Sequence, residues 1–170
     1  EISFDKVKFR YIILNMMKKI ISLLVTALCC MVMAWADPVE GNWKSIDESG
    51  KITAQWKIYQ KDGKLFGCIT HVPDQDDGKL ASECKATYKD FPVAGDVRKM
   101  TVVNTPFIFN LIKLDEGKWG KGNIIDPKDG KCYACTITFH PVGGKYKVDT
   151  LEMRGSIGPF GRSQFWVKDN

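Results

Sequence analysis

Between Lys118 and Phe139 the sequence reads as two extended runs joined by Asp126-Pro127-Lys128-Asp129-Gly130. Pro127 presets φ for the second position of a turn, and Gly130 can adopt the positive φ that closes it. After the turn the residues alternate, with Tyr133, Cys135, Ile137 and Phe139 on one face and Cys132, Ala134, Thr136 and Thr138 on the other. A period of two in β-branched and aromatic residues marks a half-buried strand. The stretch is therefore a β-hairpin, and a chain that repeats it has little choice but to form a sheet.

The pattern recurs on both sides. Gly41-Asn42-Trp43 opens the first strand, and Ile52, Ala54, Trp56 and Ile58 then alternate with Thr53, Gln55, Lys57 and Tyr59. Lys61-Asp62-Gly63-Lys64 follows; Asp-Gly between two such runs is a strong hairpin signal, and the return strand spans Leu65 to Val72. Pro73 to Gly95 breaks the rhythm and predicts a long polar loop with one short helix. Further strands are expected at Arg98–Val103, Phe107–Leu114, Tyr146–Arg154 and Ser163–Lys168, the last two joined by Gly155–Arg162. About eight or nine strands joined in order by short turns must be antiparallel, because parallel pairs need long crossovers. Half-apolar strands laid side by side close most simply into an up-and-down β-barrel, which removes the sheet edges; a two-sheet sandwich is the alternative.

Not all of the chain belongs to that barrel. Residues 17–36 combine a basic start (Lys18, Lys19), an apolar run (Ile20–Met33) and Ala34-Trp35-Ala36, which together read as a signal peptide with an A-x-A cleavage site. The apolar run is short for a membrane span. Residues 1–16 read as upstream sequence ahead of a start at Met16 or Met17, leaving 37–170 as a single domain without a transmembrane segment. Removing Lys6, Lys8, Arg10, Lys18 and Lys19 together with Glu1 and Asp5 takes the formal charge from +5 to +2. That charge is spread thinly, with no basic cluster interleaved with aromatics, which argues against a nucleic-acid partner. Cys29 and Cys30 leave with the leader, while Cys68, Cys84, Cys132 and Cys135 remain. In an exported domain thiols suggest disulfides. Cys132 and Cys135 point to opposite faces of one strand, so the expectation is one bridge from Cys84 to Cys132 or to Cys68.

Gly41-x-Trp43, Lys61-Asp-Gly-Lys-Leu-Phe-Gly67, Gly122-x-Ile-Ile-Asp-Pro-Lys-Asp-Gly-Lys-x-Tyr133, Arg154-Gly-x-Ile-Gly158 and Phe160-Gly-Arg-x-Gln-x-Trp166 occur in this order. The series resembles a bacterial exported family known as domain of unknown function 2147. The resemblance implies a lipocalin-like, calycin-type barrel in the periplasm or secreted, and it brings no established activity. It also implies that Trp43 closes one barrel end beneath an arginine from near the C-terminus, a role for Arg154 or Arg162 through cation–π contact. Two departures are visible. Where the family carries Cys-x-x-Cys, Ala81 replaces the first cysteine and Cys84 keeps the second; the segment Pro92–Lys118 is longer.

The residues offer little chemistry. Cys68 and His71 fall on opposite faces of a strand, and His140 stands beside Pro141 at a strand end, so no metal site is expected. Asp74, Asp76 and Asp77 lack the spacing of a calcium loop, and Gly155-Ser156-Ile157-Gly158 lacks the strand–turn–helix context of a nucleophile elbow. Asp126 and Asp129 are explained by turn chemistry. Neither a catalytic set nor a cofactor is therefore expected. By alternation Trp56, Ile58, Ile69, Tyr133, Ile137, Phe139 and Trp166 face the barrel interior. A small barrel can be filled by such side chains or can hold one small ligand. The leading expectation is a binder of a small apolar or amphipathic molecule; the alternative is an interaction module that uses the loop at 73–95.

Overall fold

The computed structural model describes residues 37–169, with Leu14 and Met16–Lys18 helical in a separate unit that spans Glu1–Ala36. The expected signal segment lies almost wholly outside the described residues. Among those residues no helix is long and apolar enough to cross a membrane.

Eight strands follow one another: β1 (Gly41–Ile46), β2 (Ile52–Lys61), β3 (Lys64–His71), β4 (Ile108–Asp115), β5 (Lys118–Ile125), β6 (Cys132–His140), β7 (Thr150–Ile157) and β8 (Phe160–Lys168). Each pairs antiparallel with the next, and β1 pairs with β8, so the sheet closes into an up-and-down barrel. The expected hairpin at its centre is formed: Asp126 Oδ1 accepts the Lys128 amide at 2.9 Å, and Gly130 turns with φ of 66°. Asp62 and Gly63 both adopt positive φ in the β2–β3 turn, as a tight two-residue hairpin requires.

The topology sorts the connections. The β1–β2, β5–β6 and β7–β8 turns and the long β3–β4 connection lie at one end of the barrel. The β2–β3, β4–β5 and β6–β7 links and both ends of the domain lie at the other, which is sealed. There Trp43, Trp119, Ile58, Leu65, Leu111, Ile137 and Leu151 are almost entirely buried. Trp43 Nε1 donates to the Val39 carbonyl at 2.9 Å, and Phe139 meets the Trp43 ring edge-on at 6.3 Å. Asp37, nearly buried, pairs with Lys113 at 2.9 Å across the same end.

Three expectations change. Arg98–Val103 is not a strand: Asp96 caps a single 3-10 turn, Val97–Lys99, by accepting the Arg98 amide at 3.1 Å. The residues beyond it make isolated bridges, Leu80 with Thr101 and Ile69 with Val103. The loop from 73 to 95 contains no helix. Finally, β7 begins at Thr150 rather than Tyr146, and β7 and β8 continue through the expected linker to a turn at Gly158-Pro159. The β3–β4 connection is nonetheless firmly held. Val102 N–H donates to the Lys79 carbonyl and Asn104 N–H to that of Ile69, each at 2.8 Å. Phe91 packs against Phe109 of β4 at 5.3 Å, and Asn110 Nδ2 reaches the Asp90 carbonyl at 2.6 Å.

Candidate functional site

The sealed end is packed, while the other end opens. A cavity of ≈ 910 Å³ occupies that half of the barrel. Trp56 of β2, Ile69 of β3, Ile124 of β5, Tyr133 of β6 and Met153 of β7 line it from the barrel wall. Its mouth carries Leu80 from the long connection and Ile157 and Phe160 from the β7–β8 turn, all three exposed. Charged groups stand around the same mouth: Lys79, Lys128 and Arg162 against Glu83 and Asp126. The site thus has an apolar interior and a polar rim.

The wall is made by strand alternation, and one side of the mouth is made by the connection. Gln75, Lys79, Leu80, Ser82, Glu83 and Val102 all reach the cavity. Tyr88 fixes this segment to the barrel by donating its hydroxyl to the Gly130 carbonyl at 2.8 Å while accepting the Lys85 amide at 2.8 Å. Burial pushes the Tyr88 hydroxyl up to about 12, so it remains a proton donor in this contact. A side chain at Gly130 would collide with the Glu83 backbone, so the glycine serves both the turn and the approach of the connection.

The seven residues expected inside divide by depth. Trp56, Ile69 and Tyr133 line the cavity. Ile58 and Ile137 are buried in the sealed half, Phe139 packs on Trp43, and Trp166 stacks behind Trp56 with centroids 4.8 Å apart. Alternation separates inside from outside but carries no information about position along the barrel axis. Residues of the connection were not expected, since Gln75, Lys79 and Val102 follow no periodic pattern; Met153 was within reach of the alternation in β7.

The structure corrects the expected cation beneath Trp43. Lys168 Nζ lies 4.4 Å from the centre of the Trp43 ring and donates to the Glu40 carbonyl at 2.8 Å. Arg154 and Arg162 are near the β7–β8 turn, at the opposite end of the barrel from Trp43. Arg162 makes an exposed pair with Glu48 at 3.2 Å, and the Arg154 guanidinium covers Gly161. Burial pulls Lys168 below its ordinary value, as expected for an ammonium held against an indole with little water.

The expected disulfide is also absent: Cys68, Cys84, Cys132 and Cys135 are free thiols. Neither expected partner of Cys84 is joined to it: Cys68 of β3 keeps a buried thiol and Cys132 of β6 an exposed one. Cys84 is instead buried within the connection, and that burial pushes its thiol up.

No acid–base set for catalysis is assembled among the described residues. Ser163 Oγ donates to Glu152 Oε1 at 2.7 Å, and His140 Nε2 lies 3.1 Å from Glu152 Oε2. The carboxylate thus separates the hydroxyl from the imidazole, the reverse of the order that activates a nucleophile. These contacts, the Ser163 bond foremost, hold the Glu152 carboxyl below its ordinary range. His140 also stacks on Tyr146 at 4.5 Å. His71 is exposed beside Asp77, and no cluster of three or more metal-ligating side chains occurs among the described residues.

Comparison with known proteins agrees with this architecture. Residues 41–168 match the family described as uncharacterized protein conserved in bacteria, DUF2147. The chain belongs to that family. Among solved structures, protein HP1028 from the human pathogen Helicobacter pylori, described as belonging to the lipocalin family, superposes with a TM-score of 0.60. The identity is 17%, over 78% of this chain and 83% of that one. At that identity the likeness concerns the fold, a lipocalin-like barrel. No curated protein matches the chain. This DUF2147 barrel therefore has to be interpreted from its own cavity.

Proposed function

We propose that the protein is an exported carrier or receptor that binds one small apolar or amphipathic molecule inside the barrel, without catalysis. The observation that carries this reading is the ≈ 910 Å³ cavity, open at one end and walled by Trp56, Ile69, Ile124 and Met153. Binding sites for small molecules fall in the range of about 300–1,000 Å³ and combine apolar walls with few polar groups. The connection from 73 to 95 supports the same reading over an interaction module, because its inner residues wall the cavity. Export rests on the leader-like residues 17–36.

The test is a thermal-shift and tryptophan-fluorescence screen over fatty acids, isoprenoids and other apolar molecules. A true ligand at a hundredfold excess over its dissociation constant adds about 2.7 kcal/mol to stability. It should also change the emission of Trp56. If no compound moves either signal, the binding reading is wrong. Export is tested separately by intact mass: protein recovered from the bacterial envelope should begin at Asp37, and retention of Trp35 refutes cleavage after Ala36.

A further inference from the structure

We infer that the Glu40 carboxylate is the binding site of the chain's own α-ammonium group, the one that removal of the leader creates at Asp37. The inference rests on the proposed export and concerns what cleavage after Ala36 does to the barrel.

The first four residues of the domain are held in place from several sides. The compact unit that contains all eight strands begins at Asp37 itself. Pro38 presets φ for the turn that follows, and the Glu40 amide closes it by donating to the Asp37 carbonyl at 2.8 Å. Asp37 Oδ1 accepts the Val39 amide at 3.3 Å, and Oδ2 pairs with Lys113 of β4 at 2.9 Å. The Val39 carbonyl takes the Trp43 indole of β1, and the Glu40 carbonyl takes Lys168 Nζ of β8 at 2.8 Å. The turn is thus tied to three strands at the sealed end. It places the Asp37 nitrogen against the Glu40 carboxylate, with Oε1 at 3.3 Å.

That carboxylate is oriented but not neutralised. Gln60 of β2 engages both oxygens, its backbone amide donating to Oε2 at 3.2 Å and its Nε2 to Oε1 at 2.6 Å. All of these donors are neutral, and Glu40 belongs to no ion pair among the described residues. The nearby cations are engaged elsewhere: Lys113 with Asp37 and Glu116, and Lys168 with the Glu40 carbonyl and the Trp43 ring.

While the leader is attached, the Asp37 nitrogen is an amide with one hydrogen. An envelope endopeptidase breaks the Ala36–Asp37 bond with one water molecule. The water oxygen ends in a carboxylate on Ala36, and both water protons pass to the Asp37 nitrogen, which is an ammonium at neutral pH. The contact with Glu40 then becomes a charge-assisted bond to a carboxylate already fixed by Gln60. The barrel gains this bond only once the leader is gone.

The test compares thermal melts of the mature chain, 37–170, with those of the same chain retaining one residue, 36–170. Both contain every strand and every buried core residue described. The retained alanine restores an amide at the Asp37 nitrogen. At about pH 6.5 the mature chain should melt about 4 °C higher, the size of one charge-assisted bond in a domain of this length. In Glu40→Gln, which keeps an acceptor oxygen and drops the charge, the two chains should melt together. An amine facing a carboxylate titrates above its ordinary range of about 7.7–8.0, so its contribution is present below that range and lost as pH climbs through the folded-state value. The gap should therefore close by about pH 10. The other charged groups around the amine, the Asp37 carboxylate, Lys113, Glu116 and Lys168, are common to both chains and drop out of the difference. Equal melting of the two chains overturns the assignment, as does a gap that persists in Glu40→Gln or in alkali. If envelope protein begins at Asp37 and no gap is found, the export reading stands and this inference fails alone. If envelope protein begins at another residue, the cleavage point is wrong and the inference falls with it.

Discussion

Two glycines separate the packed half of the barrel from the open half, and alanine at each should read the difference. Gly67 on β3 and Gly155 on β7 are both interior strand residues without positive φ. A Cβ at Gly67 would lie 2.6 Å from Ile58 Cδ1 and 3.1 Å from Ile108 Cδ1. Carbon atoms rest about 3.5–4.0 Å apart, so the two isoleucines must move. A Cβ at Gly155 meets its nearest atom, Tyr133 Cβ, at 3.5 Å, an ordinary contact on the cavity wall. Overpacking costs about 1–3 kcal/mol, and the stiffer unfolded chain of an alanine variant returns about 0.4–1 kcal/mol. Gly67→Ala should therefore lose a net of about 1–2 kcal/mol, and Gly155→Ala should be neutral or gain up to about 1 kcal/mol. For a domain of this size the first change lowers the melting midpoint by roughly 4–8 °C. Urea unfolding with unchanged m measures both. Ile58→Val removes the atom in conflict, so it should cost less in the Gly67→Ala background than its usual ~0.5–1.5 kcal/mol. Equal effects of the two alanines, or strict additivity with Ile58→Val, would refute a barrel packed at one end and hollow at the other.

Trp43→Ala should lose on the order of 3–5 kcal/mol whether or not a ligand is bound, whereas Lys168→Met, which keeps the packing and drops the charge, should lose far less; denaturation of both decides it, and a tolerated Trp43→Ala would show that the end seal lies elsewhere. Without reductant, Ellman titration should find Cys132 reactive in the folded barrel, since it is exposed, and Cys135 last, since it is fully buried with its thiol pushed far up by that burial. Denaturant should then release Cys68 and Cys84 as well; a shortfall would reveal a bridge. The Glu152 carboxyl is depressed, so its contribution is present above the ordinary glutamate value of about 4.3 and is lost as pH falls through the folded-state value. Melting curves should accordingly show Ser163→Ala less stable than wild type at pH 7 and converging with it at pH 3; a gap that persists in acid would assign the effect to packing.

How much of this was visible in the sequence depends on how local each cause is. The hairpins were legible because Asp62-Gly63 and Asp126–Gly130 encode their own turn geometry and because Ala54, Trp56 and Ile58 alternate. Closure followed from the number and order of strands. The cation under Trp43 was misplaced for a global reason: the barrel register brings Lys168, not an arginine, beside Trp43, and a register is set by all eight strands together. The connection was the least legible part, because residues such as Asn104 and Asp90 hold it through backbone contacts and left-handed conformations that leave no period. That connection also supplies Gln75, Lys79 and Leu80 to the cavity mouth. The mouth is thus written in the segment with the weakest pattern, and the apolar wall in the strongest. For the same reason, a barrel of this kind can reshape its cavity mouth by altering one loop while every strand retains its register.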